Sequence, residues 1–75
     1  MTQDTFVKII RSVTEAKGIK IFGSQLSKLN ALARQYSRGE VSIQQAVETI
    51  RLIFQDDFHF GRHEYEEIAK RLKRS

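Results

Sequence analysis

The stretch that decides the fold is Ser42-Ile43-Gln44-Gln45-Ala46-Val47-Glu48-Thr49-Ile50-Arg51-Leu52-Ile53-Phe54. Ser42 followed three residues later by Gln45 is a capping box. The hydroxyl can accept from the Gln45 N–H while the Gln45 side chain reaches back to the Ser42 N–H. Val41 and Ala46 flank it at hydrophobic-staple spacing. Ile43, Ala46, Val47, Ile50, Ile53 and Phe54 then form one apolar stripe, which predicts a helix over 42–55. At about 100° per residue Leu52 stands roughly 180° from Ile43, an apolar side chain on the polar face.

Upstream, Gly39 punctuates the chain, and a second helix is predicted over 24–38 with Ser24 as its cap. Leu26, Leu29, Leu32, Ala33 and Tyr36 fall within an arc of about 120°. Lys28, Ala31, Arg34, Gln35 and Arg38 occupy the opposite face. Further back, Phe6, Ile9, Ile10 and Val13 mark a first helix over 4–17, capped by Thr2 or Asp4. It closes on Lys17-Gly18, with Ile19 at the position of a Schellman contact. The IKIF segment (19–22) reads as a connector that folds Ile19 or Phe22 onto the core.

Downstream, QDDFHFGR (55–62) breaks the period, and Phe58 and Phe60 are expected to pack beneath that loop. A fourth helix over 62–73 carries Tyr65, Ile68, Ala69 and Leu72 at helical spacing. Its acids lie at the start and its bases at the end, matching the helix dipole. The expectation is an all-α chain, residues 1–75 forming a single small domain with a four-helix bundle-like arrangement. Its core would be Phe6, Ile10, Val13, Leu29, Leu32, Tyr36, Val47, Ile50, Phe54, Ile68 and Leu72.

Composition agrees with a small globular domain: 75 residues, 40% hydrophobic and 29% charged, with no Pro, Cys or Trp. The lack of Cys removes disulfides, thiolate metal sites and Cys nucleophiles. No long apolar run and no signal-peptide pattern is present, so a cytoplasmic protein without a membrane span is expected. Thirteen Lys and Arg against nine Asp and Glu give a net charge of +4. Residues 1–39 carry seven cations and two acids, while 40–75 carry six cations and seven acids. Such an excess favours an anionic partner by long-range attraction.

Signs of catalysis are sparse. His59 and His63 stand four apart, but Gly61 lies between them and no third ligand is apparent. Asp56, Gly61 and Glu67 match positions 1, 6 and 12 of a calcium loop, yet Phe58 and Phe60 occupy two of its oxygen positions. No nucleophile triad or Gly-rich phosphate loop is present. The expectation is therefore a protein that is not an enzyme, with no metal, no cofactor and no small-molecule substrate.

The run LARQYSRGEVSIQQAVETIR (32–51) resembles a helix-turn-helix of the phage-repressor type. That resemblance implies Gln44 and Gln45 at adenine edges in the major groove, with Lys28, Arg34 and Arg38 on phosphates. Fourteen residues separate Ala33 from Val47, the first helix is long, and Glu48 would face phosphates. The order helix, Gly turn, helix, aromatic loop and basic terminal helix is also broadly similar to bacteriocin immunity proteins and to small phage or antitoxin-type inhibitors. This similarity implies a regulatory or inhibitory protein that works by binding a protein partner. Lys28, Ala31, Arg34, Arg38 and Leu52 are its candidate contacts, because Ala31 and Leu52 are apolar spots within polar rims. Of the two, the protein partner is the preferred expectation and nucleic acid the alternative. A membrane role for Lys70, Arg71, Lys73 and Arg74 lacks an aromatic anchor.

Overall fold

The computed structural model describes all of residues 1–75. Helix α3 (Ile43–Ile53) starts on the capping box: Ser42 Oγ accepts from the Gln45 N–H at 3.1 Å, and Gln45 Oε1 accepts from the Ser42 N–H at 2.8 Å. The other helices are α1 (Gln3–Ala16), α2 (Gly23–Ser37) and α4 (Arg62–Arg74), with no strand. Thr2 caps α1 by accepting from the Thr5 N–H.

Glycine ends two of the helices. Gly18 and Gly39 adopt φ of +69° and +73°, the left-handed region where a Cβ is strained. Each builds a Schellman motif. The Gly18 N–H donates to Glu15 O and the Ile19 N–H to Thr14 O, and Gly39 and Glu40 do the same to Tyr36 O and Gln35 O. Helix α3 has no such stop and unwinds after Ile53, two residues earlier than its apolar pattern suggests.

The start of α2 differs from expectation. Ser24 lies inside the helix and Phe22 holds the cap position, where its side chain has no oxygen to offer. Gln25 does half of the work of a capping box, with Oε1 accepting from the Phe22 N–H at 2.9 Å. Glu64 plays the same part for α4, accepting from the Gly61 N–H at 2.7 Å.

Contacts between helix ends fix the topology. Phe6 and Tyr36 rings lie 5.2 Å apart, joining the start of α1 to the end of α2. Gln25 Nε2 donates to Ile53 O at 3.4 Å, joining the start of α2 to the end of α3. Phe60, just before α4, stacks on Phe54, just after α3, at 4.6 Å. Lys17 pairs with Glu64 at 3.7 Å, and Arg71 donates to Ser12, so α4 runs back along α1. Every neighbour is antiparallel. The four helices form a ring in which the backbones of α1 and α3, and of α2 and α4, do not approach each other.

One core fills the ring: Phe6, Ile10, Val13, Leu29, Leu32, Ile50, Phe54, Ile68 and Leu72 are buried, joined by Ile19, Ala33, Ala46 and Phe60. Two expected core residues sit further out. Tyr36 packs from the rim and Val47 is half-buried, because Ala46 lies nearer the bundle axis and takes the central position. In the connectors, Ile19 is buried whereas Phe22 is exposed. Of the two loop phenylalanines, Phe60 is buried and Phe58 projects fully into solvent. Of the two, Phe60 alone has aromatic partners, stacked on Phe54 and tilted against Tyr65 at 4.7 Å. No helix is long and apolar enough to cross a membrane.

Candidate functional site

Antiparallel packing sorts the chain by end rather than by sequence half. Cutting the helices at mid-length assigns residues 10–30 and 49–68 to one end and 1–9, 31–48 and 69–75 to the other. The first end carries Arg11, Lys17, Lys20, Lys28, Arg51 and Arg62 against Glu15, Asp56, Asp57, Glu64, Glu66 and Glu67, so it is neutral. The second carries Lys8, Arg34, Arg38, Lys70, Arg71, Lys73 and Arg74 against Asp4, Glu40 and Glu48, which is the whole net charge of +4.

Most of the apolar exposure is sorted the opposite way, with Met1 (40% exposed) at the basic end the exception. Phe22 (60% exposed), Leu52 (66%) and the fully exposed Phe58 all belong to the neutral end. The Gln25–Ile53 hydrogen bond brings their segments together: Phe22 lies three residues before Gln25, Leu52 adjoins Ile53, and Phe58 follows in the connector between α3 and α4. Phe22 and Phe58 were not among the candidate contacts. Only the chain topology reveals that they share an end.

Of the candidate contacts, Lys28, Ala31 and Leu52 come together. They line an open recess of ≈ 400 Å³ along the α2–α3 seam, above Leu32 and Ile53. No acid lines it, and Lys28 has no ion pair. Arg34 and Arg38 are not part of this group. Both lie towards the basic end, where Arg38 pairs with Glu40 at 3.8 Å. The residues proposed for DNA are divided likewise: Gln44, Gln45, Arg34 and Arg38 are at the basic end and Lys28 at the other. Gln45 is also engaged as a cap. Gln25 at the start of α2 bonds Ile53 at the end of α3, so the two helices run antiparallel, whereas helix-turn-helix units cross at about 90–120°.

A second open recess, ≈ 660 Å³, runs between α3 and α4 over Val47, Phe60, Tyr65 and Ala69. Arg51 lies 5.5 Å above the Tyr65 ring, a cation–π contact, while Arg62 is tied to Glu66 at 2.8 Å. Burial raises the Tyr65 hydroxyl above its ordinary value near 10, with Arg51 opposing. Elsewhere His59 and His63 are exposed, and the Asp57 carboxylate accepts from the His59 backbone N–H at 2.9 Å. No group of three His, Asp or Glu side chains converges as a metal site.

Comparison with protein families, with characterised proteins and with solved structures finds no match to this chain. What bears on function is the surface itself.

Proposed function

We propose that the protein is a small non-catalytic regulator that binds a protein partner through its neutral end. The observation that carries this reading is the gathering of Phe22, Leu52 and Phe58, exposed, on the one end that has no net charge. Protein interfaces pair an aromatic-rich, charge-poor centre with a polar rim. Here the exposed side chains are apolar, and Lys28 and Gln55, which line the recess beside Leu52, supply polar groups at its edge. The α2–α3 recess extends the surface alongside Leu52.

A recognition-helix role for α3 draws less support. Gln45 is occupied as a cap, and the start of α2 is bonded to the end of α3, which fixes the pair as an antiparallel hairpin.

The test is site-specific crosslinking. A photoreactive residue at position 58 should trap a defined protein from a native lysate, and Leu52→Asp should suppress the adduct while the far-UV spectrum stays helical. The same probe at position 73 should trap none of it. Equal trapping from both positions would contradict the reading.

A further inference from the structure

We propose that the basic end is a docking surface for the phosphate backbone of nucleic acid, separate from the protein-binding end. It does not depend on that first reading, since none of the unpaired cations of this end is among the contacts proposed there.

The cations are available. Of the seven at this end, only Arg38 and Arg71 are held in ion pairs, to Glu40 and Glu67. Lys8, Arg34, Lys70, Lys73 and Arg74 are exposed and unpaired. Lys73 and Arg74 also oppose the negative end of the α4 dipole, which accounts for cations in that last turn. It does not account for Lys8 on α1 or Arg34 on α2, so unpaired cations stand on three helices of this end.

A polyanion fits this surface better than the other anionic partners. A protein interface needs an apolar centre, and both exposed aromatics lie at the opposite end. A membrane surface is held most firmly by aromatic anchors beside the cations, again absent here. Phosphate binding needs neither, because released counterions drive it. The molecule measures 30 × 24 × 18 Å. Along a path of about 18 Å, duplex DNA presents roughly ten charges, one per 1.7 Å, enough to engage all five free cations. Contacts of this kind set position and carry no sequence information, so binding is sequence-independent.

The experiment is fluorescence anisotropy of the protein with a roughly 20-base-pair duplex, repeated with sequence scrambled and across salt. Five phosphate contacts give a log–log slope of about −4.5, or roughly a 500-fold loss of affinity between 50 and 200 mM salt. Lys70→Gln/Lys73→Gln/Arg74→Gln should cut the slope to about −1.8. Lys20→Gln/Lys28→Gln/Arg51→Gln removes the same charge from the neutral end and should leave the slope near its wild-type value. Circular dichroism checks that both variants remain folded. No binding at 50 mM salt, equal weakening by the two variants, or binding to phosphatidylserine vesicles in place of the duplex would each overturn the proposal.

Discussion

The two ends of this bundle are built from the same four helices, yet present opposite surfaces. At one end Phe22, Leu52 and Phe58 stand in solvent among balanced charges; at the other, seven cations face three acids. The difference arises from order along the helices, not from which helix is used. Helix α4 shows it alone, with Glu64, Glu66 and Glu67 in its first half and Lys70, Arg71, Lys73 and Arg74 in its second. Each helix is reversed relative to its neighbours, so a gradient that alternates along the chain adds up in space. A thin core then joins two surfaces that can be changed separately.

The largest expected effect tests that shared core. Phe60→Ala should cost about 3–5 kcal/mol and Ile50→Ala about 2–5 kcal/mol, against a total of about 5–15 kcal/mol for a domain. Both ends should lose their binding together, as read by urea denaturation beside crosslinking and anisotropy. Phe58→Ser, two residues from Phe60, should leave the urea midpoint unchanged because Phe58 buries nothing. Equal costs at 58 and 60 would mean that the loop is packed differently.

A smaller effect separates the ends by stability. Glu64→Ala removes the acceptor for the Gly61 N–H and the partner of Lys17, which ties α4 to α1 at the neutral end. A loss of about 1–2 kcal/mol is expected, of the size of a cap. Hydrogen exchange should rise first in residues 61–66. If it rises equally at 69–74, the end-specific picture fails.

Much of this architecture is legible in the chain. The Ser42/Gln45 box, the Gly18 and Gly39 stops and the four apolar stripes each report a local physical cause, and each lands within two residues of its place. Less legible are choices made by packing. Phe-His-Phe offers two rings at a spacing of two, and only the positions of Phe54 and Tyr65 decide which is buried. Val47 outweighs Ala46 in hydrophobicity, but the small residue is the one nearest the axis. Ser24 reads as a cap only if the Gln25 side chain is ignored. For the candidate site, Lys28, Ala31 and Leu52 are recoverable as apolar or unpaired spots on polar faces. Phe22 and Phe58 are not. The charge division by sequence half dissolves once the two halves interleave.

The smallest expected effect is a pH response. Burial holds the Tyr65 proton in the folded state above its ordinary value near 10. The folded chain therefore binds that proton more tightly than the unfolded one, and the stability it contributes is present below about pH 10 and lost as pH rises through the folded value. Tyr65→Phe should flatten this alkaline decline in thermal melts, leaving acid behaviour as it was.

The sorting of surfaces by end is most directly tested by paramagnetic relaxation. The chain has no cysteine, so Phe58→Cys carries a single spin label at the neutral end. Amide signals of Phe22, Gln25, Leu52 and Gly61 should broaden strongly, while those of Arg34, Gly39, Gln44 and Lys73 keep most of their intensity. Strong broadening at Gly39 and Lys73, with Phe22 and Gln25 unaffected, would contradict the antiparallel ring and the separation of surfaces built on it.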